Sequence, residues 1–290
     1  MNNLPPNLVK RLGRIRLVAT DLDGTLLNNE GRVSDPTKDC VKQMKDLGLR
    51  VAIMTARAHS SAERIADELG VEMPIISLDG GLVRLPHSET NIYASYVKPK
   101  VVRSVLEAAE NHLASVALFV EDKMMRRESE AILPSYIESF ELDSVEVENL
   151  YEYAEHTVQI IAGAESKRVI STLARAARGI FSGIELKTYR SSHYDDRWYL
   201  EIKNKNQSKA TGLVHLEKYL NIGKEQVAVI GDFRNDLEAF DRAGVGIAMK
   251  NAVWELKQKA DLVTEKSNDE DGAAEFFELL IGLRNNSRES

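Results

Sequence analysis

A chain of 290 residues, 43% hydrophobic and 29% charged, can bury a core and is long enough for roughly two domains. Its net charge of −7 argues against a general attraction to nucleic acid or to an anionic membrane, so any cationic pocket has to be local. Cys40 is the only cysteine, which excludes an internal disulfide and fits a reducing, cytoplasmic compartment. No apolar run approaches a membrane span, and residues 1–14 lack the continuous apolar segment of a secretory signal.

Residues 1–14, with prolines at 5 and 6, read as an irregular lead-in. Ile15 to Thr20 is the first expected core strand, and it runs into Asp21-Leu22-Asp23-Gly24-Thr25. Ser34-Asp35-Pro36 combines a capping residue with a proline near the first helical position, and Val41, Met44 and Leu47 share one face of the helix it opens. Gly48 ends that helix. Val51 to Met54 is a short buried strand, a second helix covers about residues 59–69, and Pro74 to Leu78 forms a third strand. Short apolar strands alternating with helices imply βαβ units and a parallel sheet covered on both faces.

After Gly80-Gly81 the pattern changes. Longer amphipathic helices (Val101 to Leu113, Glu165 to Ala177) are mixed with strands at Val116 to Val120, Thr157 to Ala162 and Glu185 to Tyr189. Only the first of these strands runs into acids, at Glu121-Asp122, and the composition is α+β. The first pattern then resumes, with Tyr199 to Lys203 returning to the core, a helix over Ser208 to Leu220, and a strand from Gln226 to Ile230 that stops at Gly231-Asp232. Elements at Asn235 to Ala243, Val245 to Met249, Ala252 to Ala260, Leu262-Val263 and Glu270 to Leu283 complete the chain, and Arg284 to Ser290 is expected to fray. The reading is an α/β, Rossmann-like parallel core over residues 1–84 and 195–290, with an inserted α+β domain over 85–194.

Asp21, Thr55 and Asp232 each come directly after an apolar strand. Loops at the carboxyl ends of an open parallel sheet line one crevice, so residues far apart in sequence are expected to meet there. Asp21, Asp23, Asp232 and Asp236 would crowd four negative charges, which repel unless neutralised. A carboxylate-only set favours a hard cation, and Mg2+ joins a few carboxylates to a phosphate. The six histidines are scattered, and neither G-x-G-x-x-G nor G-x-x-x-x-G-K-[ST] occurs. Lys209 follows Ser208 in the first turn of a helix, where the dipole disfavours a cation unless an anion binds there. Plainer readings stand beside these: an Asx turn at Asp23-Gly24, a solvated lysine at 209, a helix N-cap at Asn251.

Taken together, D-x-D-G-T at 21–25, Thr55, Lys209 and Gly231-Asp232 with Asn235-Asp236 resemble the haloacid dehalogenase superfamily, and within it the Cof-type phosphatases with an inserted type IIB cap. The resemblance implies that Asp21 attacks phosphorus to form an aspartyl-phosphate. It implies that Asp23 acts as general acid and base, its main-chain oxygen binding the metal. Asp21, Asp232 and Asp236 are the implied side-chain metal ligands, and Leu22, Asp23, Thr55, Arg57, Lys209 and Asn235 the implied phosphate-binding group. Asp79-Gly80-Gly81 stands at the family's hinge, where Asn is commoner than Asp79. Ala56 replaces a usual glycine, and Phe233-Arg234 replace small residues, so Arg234 adds charge beside the phosphate or the pair narrows access.

The implied activity is Mg2+-dependent hydrolysis of a small phosphomonoester: a sugar phosphate, flavin mononucleotide or pyridoxal phosphate. The expected partner is a small phosphorylated metabolite, with no nucleic acid and no membrane, and the chain is expected as a monomer or homodimer. The alternatives are a phosphomutase with the same covalent intermediate, or a binding module that keeps the fold without the chemistry.

Overall fold

The computed structural model describes residues 4–127, 144–191 and 196–289. Contacts divide the chain into two compact units, one built from residues up to 56, 62–92 and from 208 onward, the other from 57–61 and 93–207. The boundaries by contact thus fall near 92 and 208, later than the expected 84 and 195. Residue 195, the expected second boundary, itself lies outside the described residues.

Strands are numbered in chain order. In the first unit β1 (Leu17–Thr20), β2 (Arg50–Ile53), β12 (Val227–Gly231), β13 (Val245–Ala248) and β14 (Leu262–Val263) form a parallel sheet in the order β14-β13-β12-β1-β2. Every residue of β1 and β12 is buried, which is why both read as unbroken apolar runs rather than as alternation. Thr20 is paired with Ile230 on one side and Ile53 on the other. That register makes Asp21, Gly231-Asp232 and Met54-Thr55 leave the sheet side by side. β3 (Ile75–Ser77) pairs antiparallel with β4 (Leu82–Arg84) and reaches the parallel sheet through a bridge between Ile76 and Met54. β5 (Asn91–Ala94) lies where the chain passes from one unit to the other.

The helix Asp35–Asp46 starts as its sequence indicates: Ser34 Oγ accepts from Thr37 N at 3.3 Å, with Pro36 in the first turn. Its buried Val41 and Met44 face the core, and it packs against the helix Gly272–Glu289. Two expectations fail at the termini. The lead-in is helical over Pro6–Leu12, because Leu8 and Leu12, one turn apart, are both buried and Arg11 donates to Gly244 O and to the Asp261 carboxylate. The last helix runs to Glu289 instead of ending at Leu283.

The second unit is a six-stranded sheet in the order β10-β11-β9-β6-β7-β8, from β6 (Ser115–Val120), β7 (Lys123–Arg126), β8 (Ser144–Glu146), β9 (Thr157–Ala164), β10 (Ile184–Ser191) and β11 (Arg197–Asn204). The helices Pro99–His112 and Lys167–Ile180 pack on one another, and their apolar faces join Leu118, Ile160, Ala162, Leu200 and Ile202 in one core. Tyr199 to Lys203 does not return to the parallel sheet; it is the middle of β11, antiparallel to β10 and β9, with Tyr199 opposite Tyr189 and Gly163. Leu200 and Ile202 alternate toward the helices, so the strand is apolar for the sake of this second core.

Candidate active site

Three strand ends build the site within the first unit. β1 delivers Asp21, buried at 6% exposure, and its backbone then turns so that the Leu22 N–H donates to Asp21 Oδ1 at 2.8 Å. The turn needs Gly24. Its φ is +74°, and a Cβ there would stand 2.3 Å from Asp232 Oδ2, so only a residue without one lets this loop lie against the β12 loop. Thr25 Oγ1 donates to Asp232 Oδ1 at 3.2 Å, and Asn251 Nδ2 donates to Gly24 O at 2.7 Å. Asn251 is therefore a tie to this loop, while the helix Trp254–Lys259 takes Val253 as its N-cap.

β12 delivers Asp232 and, one short turn later, Asp236. Asp236 is fully buried; its Oδ2 accepts from the N–H groups of Asp232 and Phe233, both at 3.1 Å, and its Oδ1 from Lys209 Nζ at 2.8 Å. Lys209 is fully buried too, which removes the solvated reading. It opens the helix Lys209–Leu220, capped by Ser208, and its ammonium also lies 2.9 Å from Asp21 Oδ1. One carboxylate oxygen each from Asp21, Asp232 and Asp236 falls within 4.8 Å of the others. Three carboxylates against one ammonium leave two negative charges in a space that small.

The electrostatics follow from that count. Burial pushes the Asp21 carboxyl up to about 8, against the pull of Lys209 and helped by repulsion from Asp236. Burial and then Asp236 raise Asp232 to about 6, with Thr25 and Lys209 opposing and Asp23 adding repulsion. Burial opposes the charge on Lys209, but Asp21, Asp236 and Asp79 outweigh it and keep the ammonium above its ordinary range. The site thus holds its lysine charged and its acids under strain, and an all-oxygen donor set of this kind suits a hard divalent cation. Asp21, Asp232 and Asp236 would hold it, each through one carboxylate oxygen.

The remaining expected residues sit as follows. Asp23 is exposed, near enough for its charge to act on Asp232. Thr55 is buried, its N–H donating to Ile76 O at 2.8 Å and its carbonyl accepting from Asp79 N at 3.0 Å. Asn235 Nδ2 donates to Asp79 Oδ1 at 2.9 Å. Arg57 belongs by contact to the second unit and donates to Ser61 Oγ at 3.4 Å. Arg234, expected either to add charge beside the phosphate or to narrow access together with Phe233, is paired with Glu255 at 2.6 Å on the surface, and Phe233 is exposed. Thr25 and the contact of Asp79 with Asn235 were not anticipated; the threonine was visible in the motif but its partner was not.

Residues 18–277 match the family of haloacid dehalogenase-like hydrolases. The phosphatase YitU of Bacillus subtilis, which acts on 5-amino-6-(5-phospho-D-ribitylamino)uracil, is 27% identical over 272 residues, covering 92% of this chain and 98% of that one. The B. subtilis phosphatase YwpJ is also 27% identical, over 92% of this chain and the whole of its own. The solved structure of TM0651 from Thermotoga maritima superposes with a TM-score of 0.79 at 26% identity, covering 91% of this chain and 97% of that one. The chain belongs to the haloacid dehalogenase-like hydrolases, as a phosphoric monoester hydrolase of their Cof-type branch. Among the described residues no helix is long and apolar enough to cross a membrane.

Proposed function

We propose that this hydrolase is Mg2+-dependent and cleaves a small phosphomonoester through an aspartyl-phosphate on Asp21. The supporting observation is the convergence of Asp21, Asp232 and Asp236 around buried Lys209 at the ends of neighbouring strands. A bound Mg2+ would neutralise phosphoryl and carboxylate charge. Among the described residues both hydrogen bonds to the Asp21 carboxylate fall on Oδ1, from Leu22 N and Lys209 Nζ, so Oδ2 is the oxygen we assign to attack phosphorus. Lys209 pulls the attacking carboxyl toward its anionic form, against the effect of burial, and holds it in place. Exposed Asp23 protonates the leaving oxygen and then takes a proton from the attacking water. Thr55, Arg57 and Asn235 orient the phosphoryl oxygens, and residues 93–207 form the substrate-selecting cap.

For substrate we favour a phosphorylated sugar or ribityl compound, flavin mononucleotide included, over pyridoxal phosphate, because the relative YitU acts on a ribityl phosphate. The test is turnover of a panel of such phosphomonoesters and of an aryl phosphate, with and without Mg2+. Asp21→Asn is expected to lower kcat by at least about a thousand-fold, the scale seen when a nucleophile is removed. Retained turnover in that variant would reject the assignment.

A further inference from the structure

We infer that Asp79 is a positioning residue of this site, fixing the Asn235 amide and bracing three strand-end loops against one another. The inference rests on the phosphatase reading of the site given above. Asp79 lies just beyond β3 in a turn where Leu78, Asp79 and Gly80 all have positive φ, at 50°, 51° and 83°. Consecutive residues in the left-handed region are costly for anything but glycine, and Asp and Asn bear that cost better than Leu. The turn is held by its neighbours. A Cβ on Gly80 would stand 1.9 Å from Ser208 O, so the loop is pressed directly onto the N-terminus of the helix that carries Lys209. The Asp79 N–H donates to Thr55 O at 3.0 Å, tying the turn to the β2 loop.

The Asp79 side chain ties it to the β12 loop as well. An ionised carboxylate can only accept, so Asn235 has to turn its Nδ2 toward Asp79, and the 2.9 Å bond has that direction. Among the described residues the other end of the amide, Oδ1, is buried without a hydrogen-bond donor, an arrangement that costs stability. An amide left to choose would turn its oxygen toward a donor. Asp79 removes the choice and keeps the second N–H of Asn235 available to a phosphoryl oxygen. Asp79 also adds to the negative field that keeps Lys209 charged.

Two substitutions separate this from a purely conformational role. Asp79→Gly favours the left-handed backbone but deletes the carboxylate; Asp79→Asn tolerates the same backbone and keeps an acceptor for Asn235. With Mg2+ and an aryl phosphate, Asp79→Gly is expected to lose about ten-fold or more in kcat/KM, the scale of one hydrogen bond to a charged group. Asp79→Asn, whose amide can donate as well as accept, should recover only part of that loss. Inhibition by inorganic phosphate should weaken alike in Asp79→Gly and Asn235→Ala, and the double variant should be no worse than either single one. Wild-type kinetics in Asp79→Gly, or losses that simply multiply in the double variant, would overturn the inference while leaving the hydrolase reading intact. A wild-type protein that turns over no phosphomonoester would overturn both.

Discussion

Lys209 Nζ lies 2.9 Å from Asp21 Oδ1, and this single contact joins the start of a helix to the end of the central strand β1. With Asp236 Oδ1 at 2.8 Å on its other side, the lysine is, among the described residues, the only buried cation that touches the acid cluster. Removing it should therefore cost stability as well as rate. Lys209→Met keeps much of the volume and none of the charge, and leaves the carboxylates unopposed in a buried site. Urea unfolding of the metal-free variant is expected to show a loss of about 3–5 kcal/mol, the scale of breaking one side of a buried ion pair. Wild-type stability in that variant would mean the cluster is already protonated.

The raised acids give the metal-free protein a pH signature. Asp21 and Asp232 stand at about 8 and about 6 in the fold, against an ordinary value of 3.8. A carboxyl whose folded pKa is raised binds its proton more tightly folded than unfolded. Its stabilising contribution is fully present below the unfolded value and is lost as pH climbs through the folded one. Metal-free wild type should lose melting temperature between pH 3.8 and about 8 relative to Asp21→Asn, and between pH 3.8 and about 6 relative to Asp232→Asn. Differential scanning fluorimetry across pH measures both differences directly.

Mg2+ should reverse that trend. Ligation requires the carboxylates to be deprotonated, so binding releases protons and stabilises more at high pH than at low pH. The rise in melting temperature on adding Mg2+ is expected to be larger at pH 8 than at pH 5, and to be largely abolished in Asp232→Asn. An equal rise at both pH values would place the ion elsewhere.

Gly24→Ala tests the packing that brings the two loops together. Its Cβ would meet Asp232 Oδ2 at 2.3 Å at a φ of +74°, so Asp232 has to move. Strain of this kind costs on the order of 1–3 kcal/mol. Calorimetric Mg2+ titration should show weakened affinity, with far-ultraviolet circular dichroism unchanged.

The N-terminal helix makes a prediction independent of the site. Leu12 is 1% exposed, and Leu12→Ala should destabilise the protein by about 2–5 kcal/mol, the usual cost of a large-to-small core change. Chemical denaturation measures it, and a negligible change would mean that the helix is dispensable to the first unit.

The parallel core was legible because its buried strands run straight into polar residues: the apolar stretch before Asp21 and the one before Gly231-Asp232 each mark a strand and its functional end together. Ser34 and Ser208 marked helix starts through a local hydrogen bond, which sequence carries well. Long-range partners were harder to read. Nothing near Tyr199 says that its strand pairs with β10 and β9 rather than with the parallel sheet, since an apolar alternation fits either core. The helix Pro6–Leu12 was hidden by its prolines, although Pro6 sits at the first position where the missing N–H costs nothing. In the site, motif residues announced themselves by type and spacing. Asp79 did not, because its importance comes from Asn235 and the Lys209 helix, which the chain reaches only after the whole second unit.

The most direct test of Asp21 as the group that takes the phosphoryl moiety is chemical trapping. Enzyme mixed with Mg2+ and a turned-over phosphomonoester is quenched in acid during the steady state, reduced with borohydride and digested, and the peptides are sequenced by mass spectrometry. Reduction of an acyl phosphate converts aspartate to homoserine, so homoserine is expected at position 21 and none in the Asp21→Asn variant. Homoserine at position 23 or 232, or unmodified aspartate at 21 under conditions of rapid turnover, would contradict it.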